Sequence, residues 1–170
     1  VASPVGVATT RVGARPTRWV GAPAPGGLTL PSALPTASQL YGPRGVWLDE
    51  QRLVVADTGN HRVLIWSDGP SSDHAAADIV LGQADFTEDG AEAGGRGPER
   101  GMRLPTGVIV HDGQLIVADA WNHRLLIWDE IPARSDVAAD RVVGQPDTSS
   151  TDENRGGPCG PRGFYWPFGL

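Results

Sequence analysis

The stretch PRGVWLDEQRLVVADTGNHRVLIW, residues 43–66, decides the fold, because it returns as PTGVIVHDGQLIVADAWNHRLLIW, residues 105–128. The copies lie 62 residues apart. The same offset carries Val80, Leu81, Gly82 and Gln83 onto Val142, Val143, Gly144 and Gln145, and Asp85 onto Asp147. Similarity that stays in register over such a length without a gap is an internal repeat. A repeat of this size signals a stack of like supersecondary units.

Within one unit the pattern is that of short strands joined by tight turns. Residues 45–49 read as a short, mainly apolar strand, and the turn at Asp49, Glu50 and Gln51 aligns with His111, Asp112 and Gly113. Asp-Gly between apolar runs signals a hairpin, since both residues tolerate positive φ. The runs 53–56 and 115–118 are continuously apolar and predict strands buried on both faces. Strands at 62–66 and 124–128 follow the next turns, and 78–82 and 140–144 supply a fourth. Four short strands repeated in tandem predict twisted antiparallel sheets stacked radially.

The expected fold is therefore all-β: a partial β-propeller of two four-stranded blades with incomplete units at either side. The expected boundaries are an N-terminal segment over 1–42 with a degenerate partial repeat, blades over 43–104 and 105–166, and the start of a third unit at 167–170. The degenerate copy is Val20-Gly21-Ala22-Pro23, which resembles Val143-Gly144-Gln145-Pro146. Residues 1–19, rich in Pro, Ala and Gly, suggest a loose lead-in. Propellers close with about 4–8 blades, so the chain is expected to be a piece of a longer protein. Its uncovered faces and edges would favour association.

Propeller repeats commonly run about 40–50 residues. Here the excess lies in 84–103 and its mate 146–165, both Gly-rich, with Glu88, Asp89 and Glu92 in one and Asp152 and Glu153 in the other. A loop of that length is usually functional or disordered.

At ADTGNHRVLIW and ADAWNHRLLIW the chain resembles the NHL repeat. The residues that carry the likeness are Asp57, Asn60, His61 and Arg62, then Asp119, Asn122, His123 and Arg124. The stretches 80–86 and 142–147 resemble a long-repeat bacterial subgroup with a VLGQPDF strand and a Gly-rich loop. The resemblance implies a propeller, six-bladed in known examples, serving mostly as a platform for protein or small-molecule ligands. It also implies rarer outcomes: RNA binding through a basic face, extracellular sensing, and a metal-dependent lyase lineage. Fold alone does not choose among them.

Asp57, His61 and Arg62 put a carboxylate, an imidazole and a guanidinium close together. The trio recurs in both units, and a catalytic site seldom recurs in every blade. Structural turn chemistry and Arg–carboxylate pairing explain it better. His61 and His123 could form a zinc pair, but two ligands do not complete a site. Calcium in the acidic loops would want about six oxygens, and no regular Asp-x-Asp spacing offers them; solvated loops are the plainer reading. Trp66 and Trp128 end equivalent strands and suit packing between blades. Trp121 replaces Gly59 at a turn tip, where a large aromatic either anchors a partner or folds down onto neighbours. The cluster from Phe164 to Phe168 reads as the opening of the next blade, and the lone Cys159 has no repeat mate.

The formal charge is −6, and all 14 cations are arginine. That balance argues against nucleic acid, whose phosphates need a positive surface. No apolar run reaches the length of a membrane-spanning helix. The sequence thus favours a non-catalytic propeller scaffold for a protein or small ligand, with no cofactor. The alternative is part of a propeller enzyme, a metal-assisted lyase or hydrolase whose site lies mostly on other blades.

Overall fold

The computed structural model describes residues 17–23 and 34–170. Two four-stranded antiparallel sheets follow one another along the chain. The first comprises β1 (Gly45–Leu48), β2 (Leu53–Asp57), β3 (Arg62–Trp66) and β4 (Ile79–Leu81). The second comprises β5 (Pro105–His111), β6 (Gln114–Asp119), β7 (Arg124–Trp128) and β8 (Arg141–Val143). In each sheet the strands pair in sequence order, as a meander of tight turns dictates. The Asp112-Gly113 turn has φ of 50° and 81°, the primed hairpin geometry that matches strand twist. In the first blade Asp49 does the same task differently, its carboxylate accepting the Gln51 and Arg52 main-chain N–H groups at 2.8 and 2.5 Å.

The sheets stack face to face, and the apolar core fills the space between them. Val54, Ala56, Val63, Ile65, Ile79 and Leu81 of the first blade meet Leu115, Val117, Leu126 and Trp128 of the second. The inner strands approach most closely. A Cβ on Gly45 would stand 2.7 Å from the Thr106 carbonyl oxygen, so only glycine lets β1 lie against β5. Pro167 and Leu170 occupy the corresponding place beside β5: Thr106 Oγ1 donates to the Pro167 carbonyl at 3.2 Å, and Leu170 lies over Gly107. The structure is that of a partial β-propeller.

The other face of the first blade is covered by the N-terminal segment. Leu53, Val55, Leu64, Trp66 and Val80 pack with Val20 and Leu40. That segment repeats the geometry of a blade's outer strand. Gly21, Gly82 and Gly144 share positive φ of 86°, 88° and 96°, and Leu40, Met102 and Phe164 lie against them in turn. The His74 N–H donates to the Trp19 carbonyl at 2.8 Å, just as the Asp136 N–H donates to that of Val80 at 3.1 Å. Val20 and Gly21 thus lie against the first blade much as Leu81 and Gly82 lie against the second, joined to the rest by a single parallel β-bridge among the described residues, between Gly21 and Gln39. Most of the lead-in anticipated over 1–19 lies outside the described residues.

Burial departs from expectation in the second blade. β2 and β3 are buried on both faces. In the second blade Ile116, Leu125 and Ile127 are only half-buried, because no further sheet packs on that face among the described residues. The long loops also carry structure. In the first, a tight turn over Ala91–Gly95, with Glu92, Ala93 and Gly94 at positive φ, buries Ala93, and Gly101 packs so tightly against Glu92 and Ala93 that a Cβ would come within 2.2 Å of their backbone. Arg96 then forks onto both Asp136 oxygens at 3.0 and 2.9 Å, tying this loop to the second blade and holding the Asp136 carboxyl below its ordinary range.

Candidate functional site

The Asp, Asn and Arg of each unit form a buried staple. Asp57 accepts the Tyr41 main-chain N–H at 2.6 Å, Asn60 Nδ2 at 2.8 Å and Arg62 Nε at 2.8 Å. Arg62 also donates to the carbonyls of Phe86, Thr36 and Gln39. The second blade repeats every bond: Asp119 accepts from Arg103 N–H, Asn122 and Arg124, and Arg124 reaches Thr148, Pro98 and Gly101. Both guanidinium groups and both carboxylates are fully buried. Full burial pushes the Asp119 carboxyl up, and the donors aimed at it oppose that push. Each arginine thus bolts a strand to its own long loop and to the loop of the unit before, with four of its five N–H donors engaged in this way.

The histidines link successive units. His61 and His123 both sit at φ 54°, in the left-handed region. His61 Nδ1 accepts the Leu104 N–H at 3.0 Å, and His123 Nδ1 accepts the Trp166 N–H at 3.2 Å. Leu104 and Trp166 themselves have φ of 50° and 49°, so each ring fixes the strained residue that opens the following unit. Accepting at Nδ1 requires that nitrogen to be unprotonated. Burial holds both imidazoles below the usual histidine range; Arg103 adds to this at His61, while Glu153, Asp119 and Asp152 oppose it at His123.

A stability effect follows. An unfolded histidine takes up its proton near pH 6.5, before the folded one does, so unfolding binds protons in that interval and stability falls with pH. The contribution is complete above about pH 6.5 and is lost as pH drops through the depressed values. Urea unfolding at pH 7.5 and 5.5 should show lower stability at the acid end. Replacing both histidines by asparagine, which tolerates positive φ, should flatten that difference; an unchanged slope would refute this role.

A family model described as the NHL repeat matches residues 40–66 and 102–128. The chain thus carries two NHL repeats. No curated protein matches it. Each matched NHL segment runs from the residue over the positive-φ glycine to the tryptophan closing the third strand, and so contains the whole staple. NHL repeats indicate a β-propeller-type interaction scaffold.

The two NHL turns differ where they meet solvent. In the first, the Tyr41 ring covers Gly59, and a Cβ there would stand 2.3 Å from it. In the second, Arg103 replaces the tyrosine and Trp121 replaces the glycine. The Trp121 ring stacks on Trp166 with centroids 4.6 Å apart, Trp166 stacks on Tyr165 at 5.0 Å, and Tyr165 on His123 at 5.5 Å. Beside this column a cleft of about 610 Å³ opens, lined by Trp121, Asn122, His123, Arg103, Asp152 and Glu153 among others.

Trp121 is therefore half-buried rather than a free-standing tip. Asn122 and His123 serve the staple, the linkage and the cleft wall together. Among the described residues no three metal-ligating side chains group so as to hold an ion, and the acidic loop residues Asp85 and Asp147 bond to hydroxyls and N–H groups of their own turns. Sequence reading passed over Arg103, weighed Asp152 and Glu153 only as an acidic loop, and took Trp166 for the opening of the next blade. The signal was present: aligned at the repeat offset, Asp152 and Glu153 stand against Gly90 and Ala91, beside a retained staple.

Proposed function

We propose that this chain binds a protein partner through the turn-tip face of its second blade, with Trp121 as the anchoring side chain. One observation carries the reading. The two blades keep the same staple and histidine linkage but diverge together at the cleft, where Tyr41, Gly59, Gly90 and Ala91 become Arg103, Trp121, Asp152 and Glu153. Residues that only hold a blade together have no reason to change as a set, whereas a large aromatic braced by a second ring suits a binding hot spot. The reading requires no metal and no cofactor.

Peptides selected by display against the immobilised protein test it. Their binding should fall at least tenfold on Trp121→Gly, which restores the residue of the first blade. It should not change on Glu50→Ala, in the β1–β2 turn at the opposite end of the strands. Selected peptides indifferent to Trp121→Gly would overturn the assignment.

A further inference from the structure

We infer that the cleft beside Trp121 receives a cationic side chain, lysine or arginine, from an extended peptide segment of the partner. The inference rests on the proposed binding role and specifies its chemistry. Two carboxylates and one arginine are the charged groups that line the cleft, so its balance is acidic. Asp152 and Glu153 line one side, and neither carboxylate has an ion-pair partner among the described residues. Asn122 lines it too. That residue is 1% exposed; its Nδ2 is held by Asp119, and its Oδ1 has no hydrogen-bond partner. A buried acceptor without a donor is costly, and a ligand that brings N–H groups relieves the cost. Gln145 lies directly below, donating to the carbonyls of Asn122 and Asp152 at 3.1 and 2.8 Å, and so fixes both walls.

The Trp121 ring, held rigid by its stack on Trp166, supplies an aromatic surface at the cleft, and a cation over such a ring is attracted to it. Arg103 is the one cationic donor in the lining. It would oppose a bare cation, but it suits a peptide carbonyl one residue away from the charged side chain. Acceptors for the side chain and a donor for the backbone together describe a basic peptide better than a free amine. The first blade differs: Tyr41 lies over Gly59 where the indole would stand, and Gly90 and Ala91 replace the two carboxylates, with Asp89 near His61 instead.

The probes are acetyl-Gly-Gly-Lys-Gly-Gly-amide, its arginine twin, its Nε-acetyl-lysine twin and free propylammonium, each titrated against the full chain. The Trp121 indole N–H resonance is the readout, assigned by Trp121→Phe. The lysine and arginine peptides should shift it saturably. Acetyl-lysine, which keeps the length but loses the charge, should bind roughly tenfold or more weakly, and propylammonium should bind less well than the peptides. Asp152→Asn with Glu153→Gln, both on an exposed loop, should weaken the lysine peptide by a similar factor without altering the melting temperature. Equal binding of the lysine and acetyl-lysine peptides, or no loss in the double variant, would overturn the cationic assignment. In that case display-selected peptides that still depend on Trp121 would leave the binding reading standing; their indifference to Trp121 would remove both.

Discussion

Replacing Arg124 by methionine is expected to lower the stability of the protein by about 3–5 kcal/mol, the usual cost of removing one partner from a buried ion pair. The side chain is fully buried, and methionine fills much of the same volume, so the loss is electrostatic rather than a cavity. Asp119 would keep the Arg103 N–H and Asn122 as donors but lose its counter-charge. The carbonyls of Pro98, Gly101 and Thr148 would lose their donor as well. That second consequence separates this site from an isolated pair, for which an apolar double replacement is often neutral. Here Asp119→Asn with Arg124→Met should recover only part of the loss, because the three carbonyls stay unpaired. Urea midpoints of the single and double variants measure both numbers. A loss below about 1 kcal/mol for Arg124→Met, the scale of an exposed pair, would show that the staple is not what joins the loops to the blade.

Trp128→Ala should cost a comparable amount, about 3–5 kcal/mol, by a different route. The indole is 2% exposed and sits in the core shared by the two blades, with Ile79, Leu81 and Met102 of the first. Its Nε1 donates to the Val137 carbonyl at 3.1 Å, pinning the loop before β8. Truncation would therefore open a cavity at the blade interface and orphan an acceptor. Trp128→Phe keeps most of the packing and loses the bond, so it should cost about 1–3 kcal/mol. Near-ultraviolet circular dichroism should report loosened packing in the alanine variant. If alanine and phenylalanine cost the same, interface packing at this position contributes little.

The fold was legible because its signals are local. Apolar runs of four or five residues, an Asp-Gly turn and a gapless period place the strands within a residue or two of where they lie. The same local chemistry marked Asp57, Asn60 and Arg62 as structural, since a carboxylate beside a tight turn tends to bond its own backbone. The reach of the arginines was not legible. Arg62 meets Thr36 and Phe86, which sequence spacing does not bring together. The histidines show the same limit: their role depends on the N–H of a residue 43 positions away.

By itself the sequence determined a repeated four-stranded sheet, the residues that turn and staple it, and the contrast between Gly59 and Trp121. These follow from short apolar runs, turn preference and comparison of one unit with the next, all of which operate over a few residues or a fixed offset. Only the tertiary structure decided what Trp121 stands against, that Asp152, Glu153 and Asn122 share a cleft with it, and that its support is Trp166. Those contacts are set by how one unit docks on the next, and docking is governed by side-chain packing across the interface, which has no period in the chain.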